Sequence, residues 1–185
     1  MRIGLFGGSF NPAHGGHRHV ATTALKALQL DWVWWIVARG NPLKTEHGDF
    51  QTRLRSAQAH AQHPRMIATD IEQRAGIRFT RDTLGLVLQR APSARFVWIM
   101  GGDSLRDFHR WKDWSYIAAA VPICVVARPD EGKAKLSSPF ARRFSGARVP
   151  AQAATLLPSL SPPAWTYINA PLHPASSTAL RLQNG

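Results

Sequence analysis

Two histidines three residues apart, His14 and His17, close the stretch Gly7-Gly8-Ser9-Phe10-Asn11-Pro12-Ala13-His14-Gly15-Gly16-His17 near the start of the chain. Glycines at a strand end let the backbone come close to a ligand, and a helix N-terminus beyond them offers unpaired N–H groups and a positive dipole end. A phosphate site is the physical expectation. Side chains three apart share one face of a helix start, so two imidazoles there can donate hydrogen bonds to phosphate oxygens in a transition state. The glycines are not spaced GxGxxG, and no Gly-Lys-Ser/Thr of a Walker loop follows. On these residues alone, a glycine turn with two incidental histidines stays open. His14, His17 and His19 also raise zinc, but His19 points elsewhere on a helix and no Cys or HExxH pattern supports a metal.

A second set lies near the C-terminus, where Ser176-Ser177-Thr178-Ala179-Leu180-Arg181 follows Pro174. Hydroxyls at N-cap and first-turn positions satisfy free helix N–H groups. The same helix start can hold a polyphosphate, with Arg181 as a charged donor.

The elements that must carry these motifs are legible from apolar spacing. Arg2 to Phe6 reads as a strand, and Val20, Ala21, Ala24, Leu25 and Leu28 then recur at helical spacing. Trp32 to Ala38 is a nearly continuous apolar run, as expected of a strand buried on both faces of a parallel sheet. Helices are predicted near Phe50 to Gln62, Thr80 to Gln89 and Trp114 to Ala120, and strands at Met66 to Thr69, Arg95 to Met100, Ile123 to Ala127 and Trp165 to Ile168. Such alternation predicts an α/β, Rossmann-like, doubly wound fold with a mostly parallel sheet flanked by helices. In an open sheet of this kind, ligands bind at the carboxyl edge, where the glycine turn lies. Residues 1–185 make one domain, with about 128–164 expected to be a loop-rich, mobile segment because Gly, Ser, Lys, Arg and then Pro dominate it.

Composition bounds the partners less tightly. With 185 residues, 44% hydrophobic and 18% charged, the chain suits one folded domain. Its lone Cys124 can form neither an internal disulfide nor a Cys-rich zinc site. The N-terminus lacks the roughly 7–15-residue apolar stretch of a signal peptide, and no run is long enough to span a bilayer. The expectation is a cytoplasmic protein without membrane contact. The net charge of +12 fits nucleic acid, anionic lipid or small phosphorylated substrates, and it is spread along the chain without a basic tail.

GGSFNPAHGGH resembles the signature (G/S)xFxPxHxGH of the nucleotidylyltransferase superfamily, and SSTALR resembles its second signature, SSTxxR, which implies binding of ATP phosphates. The chain ends four residues after Arg181, before the longer helix that the resemblance implies. Three further stretches are similar to bacterial nicotinate-nucleotide adenylyltransferases. Gly101-Gly102-Asp103-Ser104-Leu105 resembles their GxDSL loop, with Asp103 as a ribose-hydroxyl acceptor or a helix N-cap, and Trp111 placed like the tryptophan that stacks on the pyridine. Phe79-Thr80 and Thr83-Leu84 resemble (S/P)YTxxTL, whose first threonine recognises the nicotinate carboxylate. Asn41-Pro42-Leu43-Lys44 matches the loop after the second strand, with Lys44 directed to phosphate, and ICVVARP matches a strand ending in Arg-Pro. Trp111 and Trp114 stand equally well as core or surface aromatics.

The resemblance implies an adenylyltransferase that joins ATP and nicotinate mononucleotide into nicotinate adenine dinucleotide and pyrophosphate, in NAD biosynthesis. His14 and His17 would be catalytic. Gly7, Gly8, Ser9, Phe10, His14, His17, Ser176, Ser177, Thr178 and Arg181 would bind ATP, which arrives with Mg²⁺. Asn11, Lys44, Thr80, Thr83, Gly101, Asp103 and Trp111 would bind the mononucleotide. No resident metal and no nucleic-acid partner are expected, and homo-oligomerisation is left open. Related readings are transfer to nicotinamide mononucleotide or phosphopantetheine, although His14 stands where the phosphopantetheine enzyme typically has Thr. A basic nucleic-acid-binding protein is the alternative from another class, but no RNP, zinc-finger or zipper pattern supports it.

Overall fold

The computed structural model describes residues 1–40, 48–127 and 137–169. Seven strands form one parallel sheet in the order β3-β2-β1-β4-β5-β7-β6. They are β1 (Arg2–Gly8), β2 (Trp32–Val37), β3 (Met66–Thr69), β4 (Arg95–Gly101), β5 (Ile123–Val126), β6 (Arg148–Val149) and β7 (Trp165–Ile168). The helices are α1 (Gly15–Ala27), α2 (Phe50–His60), α3 (Ile71–Ala75), α4 (Thr80–Arg90), α5 (Gly102–Asp107), α6 (Trp114–Ala120) and α7 (Pro139–Arg143). This is the expected Rossmann-like α/β architecture, and among the described residues every strand pairing is parallel.

Period-two alternation in the central strands sorts side chains into two cores. Phe6, Val33, Trp35, Val97, Ile99 and Cys124 face α1, α2 and a 3₁₀ helix at Ala151–Ser159. Ile3, Leu5, Ile36, Trp98, Met100 and Val125 face α4, α5, α6 and α7. Burial pushes the Cys124 thiol up to about 12, so this cysteine is a packing group without nucleophilic character at neutral pH.

Sheet order reverses direction between β1 and β4. β1 leads through α1 to β2 on one side, and β4 leads through α5 and α6 to β5 on the other. The crevice at their carboxyl ends is the topological switch point, and both α1 and α5 begin there.

Several elements differ from the sequence expectation. β1 continues through Gly7 and Gly8, because both pair with β2 opposite Ile36 and Val37. The short α3 and α5, five and six residues long, have too few turns to show an apolar period. Residues 137–164, expected to be loop-rich, hold α7, β6 and the 3₁₀ helix, and bury Phe140, Ala141, Ala154 and Leu157 in the two cores. The nine-residue 3₁₀ helix carries Pro158 inside it, and prolines of this kind are what gave the stretch its loop-like texture.

Gly7 shows why the strand end needs glycine. A Cβ there would lie 2.5 Å and 2.6 Å from the Trp98 ring, whose indole is itself packed beneath the sheet. The glycine at this edge is therefore required by the protein's own core as well as by any approaching ligand. Gly7→Ala should cost about 1–3 kcal/mol through overpacking against Trp98, read as a lowered midpoint in chemical denaturation.

Candidate active site

At the end of β1 the chain turns through Ser9–Ala13 and enters α1. Phe10 adopts φ +47°, a left-handed conformation costly for a bulky residue, so tertiary contacts must hold it. They are aromatic: its ring is 1% exposed, stacks on Trp35 at 5.2 Å and 29°, and meets Phe6 edge-on at 5.6 Å. A Cβ on Gly8 would lie 2.9 Å from the same ring. Phe10 thus anchors the turn from below while the backbone of Gly8–Asn11 passes over it.

The two histidines then cap the helix. His14 is the N-cap residue of α1, and its Nδ1 accepts the Gly16 N–H at 3.1 Å. His17, in the third helical position, accepts the His14 N–H on its Nδ1 at 3.2 Å. This is a capping box with imidazoles in place of the usual hydroxyl and carboxamide. A ring nitrogen that accepts a hydrogen bond carries no proton, so both rings are held as neutral tautomers with the N–H on Nε2. The ring centroids lie 3.8 Å apart, and His17 packs edge-on against Phe10 at 5.0 Å. Cap geometry and aromatic packing together hold the two imidazoles against each other at the positive end of a helix.

α2 holds this turn from its flank. Ser56 accepts the Ala13 N–H on its hydroxyl at 3.0 Å. Arg53, 3% exposed, donates Nη1 to the carbonyls of Ser9 at 2.9 Å and Ala38 at 2.7 Å, Nη2 to Arg39 at 3.3 Å and Nε to Gly48 at 2.9 Å. One guanidinium thereby joins the turn after β1, the exit of β2 and the start of α2. Burial lowers its pKa, while Asp49 and then Glu72 act in the opposite sense. Sequence reading passed over Arg53 because one arginine on an amphipathic helix looks like a solvated face. Its position on the inward face beside Ala57 was the available signal.

Across the crevice, Gly101 and Gly102 end β4 and open α5, and both are buried. Gly101 is the N-cap, so Asp103 sits in the first turn and is exposed, not at the cap position considered from sequence. Trp111 is half-buried, edge-on to Trp98 at 6.2 Å and to Phe108 at 5.3 Å. Trp114 packs against Phe108, Phe140 and Phe144 and joins the core side. Thr80 opens α4 after Phe79, whose side chain makes no cap bond but whose carbonyl accepts the Asp82 and Thr83 N–H groups at 2.9 Å and 3.2 Å. Thr83 is fully buried, and its hydroxyl donates to Glu72 Oε1 at 2.7 Å. Asn11 lies against Gly48, where a Cβ would come 2.8 Å from its Oδ1. Lys44, Ser176, Ser177, Thr178 and Arg181 lie outside the described residues.

Among the described residues no group of three or more His, Cys, Asp or Glu is arranged to hold a metal, and no helix is long and apolar enough to cross a membrane. The geometry is that of an α/β nucleotide-binding protein, with a glycine turn, two helix N-termini and a pair of fixed imidazole donors at the switch point.

Comparison with known proteins specifies the class. Residues 5–183 match the family model described as cytidylyltransferase-like. A probable nicotinate-nucleotide adenylyltransferase of Caulobacter sp. (strain K31) is 49% identical over 98% of this chain and 97% of its own length. One from Rhizobium meliloti (strain 1021) is likewise 49% identical over 98% and 97%. In fold, the chain is similar to Plasmodium falciparum nicotinic acid mononucleotide adenylyltransferase complexed with NaAD, at TM-score 0.73 and 17% identity, over 98% of this chain and 82% of that one. The chain belongs to the nicotinate-nucleotide adenylyltransferase family within the cytidylyltransferase-like nucleotidylyltransferases.

Arg53→Lys keeps the charge but cannot reach four carbonyls at once. It should destabilise the protein by about 2–3 kcal/mol, since buried carbonyls lose charged donors, as measured by urea denaturation.

Proposed function

We propose that this chain transfers the adenylyl group of ATP to nicotinate mononucleotide, giving nicotinate adenine dinucleotide and pyrophosphate. The observation that carries the reading is the pair of imidazoles fixed by the α1 capping box at the β1/β4 switch point, in a chain 49% identical to adenylyltransferases of this kind.

The chemistry follows from charge. A phosphate oxygen of the mononucleotide attacks the α-phosphorus of ATP in line. The new O–P bond forms as the bond to the β-phosphate oxygen breaks, and its electron pair leaves with pyrophosphate. The nucleophile is already ionised, so the step needs no general base. The protein therefore contributes alignment and stabilisation of charge on the transferring phosphate. In this reading, the Nε2–H groups of His14 and His17 donate to phosphate oxygens. The Gly7–Phe10 backbone and the α1 N-terminus flank the nucleotide.

Lys44, Ser176, Ser177, Thr178 and Arg181 are assigned to the polyphosphate on their motifs. Thr80, Gly101, Asp103 and Trp111 are assigned to the mononucleotide, supported by their position beside the crevice on the β4 and α4 side. Mg²⁺ arrives as the MgATP substrate, held by the triphosphate and water. The +12 charge suits a protein whose substrates and product are all phosphorylated anions.

Pyrophosphate release should be supported by MgATP with nicotinate mononucleotide, at a kcat/KM at least about tenfold above that with nicotinamide mononucleotide or phosphopantetheine, a difference of about 1.4 kcal/mol in transition-state binding. Turnover with phosphopantetheine alone, or none with any acceptor beside tight duplex binding at physiological salt, would overturn the reading.

His17→Ala should lower kcat by about 10²-fold or more, the usual cost of removing a transition-state donor. His17→Glu restores an acceptor for the His14 N–H and lacks the Nε2–H donor. It should regain the helix cap, worth about 1 kcal/mol, without regaining activity. A Glu variant of normal kcat would remove His17 from the reaction.

A further inference from the structure

Glu72 and Thr83 lie away from the glycine turn, yet they join two parts of the crevice wall. Glu72, on α3, is 5% exposed. Its Oε1 accepts the Thr83 hydroxyl at 2.7 Å, and its Oε2 accepts the Arg39 N–H at 3.2 Å. The carbonyls of Ala38 and Arg39 accept from Arg53. The backbone leaving β2 is thus gripped by a buried carboxylate and a buried guanidinium. Burial raises the Glu72 pKa, and the bonds from Thr83 and Arg39 and the charge of Arg53 act against that rise. A core serving only stability has no need of an acid here, because Leu84 and Val87 already pack α4 against the sheet.

What the carboxylate adds is a fixed setting of α4 along and about its axis. Thr83 stands one turn inside the Thr80 end of that helix. The outer side of the same turn is tied to the Trp111 segment by Arg81 Nη1 to Asp113 Oδ2 at 2.7 Å and by Lys112 Nζ, 4.4 Å from the Phe79 ring centroid. Those outer ties are exposed, and exposed ion pairs specify geometry weakly. The buried tie through Glu72 is the one that sets where the α4 N-terminus stands relative to the exit of β2.

We propose that Glu72 and Thr83 are positioning residues for the mononucleotide half of the site, acting through the N-terminal turn of α4 and the exit of β2. The inference rests on the proposed adenylyl transfer and goes beyond it by moving Thr83 from contact with substrate to the support of the helix that makes contact.

The test is steady-state kinetics with each substrate varied, on Thr83→Val, Thr83→Ser, Glu72→Ala and Glu72→Gln. Val fills the same space without the hydroxyl, whereas Ser retains it. Gln restores the link in altered form: its carbonyl accepts from Arg39, and its amide donates to Thr83, whose proton turns to the Phe79 carbonyl 3.4 Å away. Thr83→Val and Glu72→Ala should raise KM for nicotinate mononucleotide about tenfold, as expected for a misplacement well under 1 Å, with KM for ATP within about twofold. Thr83→Ser and Glu72→Gln should return KM to near the wild-type value. Equal shifts in both KM values, or Thr83→Val indistinguishable from wild type, would overturn the inference alone. If Glu72→Ala does not fold, the Thr83 pair decides. Wild-type protein that fails to use nicotinate mononucleotide would overturn the underlying function and this inference together.

Discussion

A buried guanidinium surrounded by backbone carbonyls governs the geometry of this site. Arg53 donates to Ser9, Ala38, Arg39 and Gly48, four carbonyls from three segments distant in sequence. Loops at the carboxyl edge of a parallel sheet end with unpaired carbonyls, and burying them without donors is costly. A planar, permanently charged group with five N–H donors can satisfy several at once, which an ammonium or an amide cannot. The turn after β1 and the exit of β2 therefore have one relative position, and everything mounted on them inherits it.

On that base the histidine pair has a double use. Its Nδ1 atoms hold the start of α1, and by doing so they commit the protons to Nε2. In the proposed reaction, helix capping and donor presentation are one arrangement, in which the energy that forms the helix end also orients the imidazoles assigned to phosphate. Phe10 completes it by wedging under the turn in a strained backbone conformation that Trp35, Phe6 and His17 sustain. Pre-orientation of this kind spares the reaction a reorganisation cost, which is where neutral hydrogen-bond donors gain most of their effect on a charged transition state.

Much of the site was legible from local sequence. The HxGH pair, the glycines before it and the GGDSL stretch all stand where strand and helix periodicity place a carboxyl edge. The supporting residues were not legible. Arg53 and Glu72 are charged residues of ordinary appearance, and their burial follows from loops that meet only when three strands are side by side. Thr83 carried a motif position, but its hydroxyl turned inward because the acid Glu72 on α3 accepts it there. Gly7 read as room for a ligand, whereas the ring of Trp98 already occupies the space behind it. Short α3, α5 and α7 and the two-residue β6 escaped because their length holds less than two periods of any pattern.

The amino-acid sequence by itself determined the alternation of strands and helices, the parallel sheet and the chemistry of the turn. These depend on apolar period and on residue types within a dozen positions of one another, which the chain displays directly. Tertiary structure decided which charged residues are buried and that the motif threonine Thr83 turns inward to Glu72. Each of those outcomes depends on a partner brought from a distant segment. Hydrogen-bond direction and desolvation are properties of the assembled neighbourhood, and no single stretch of this chain contains them.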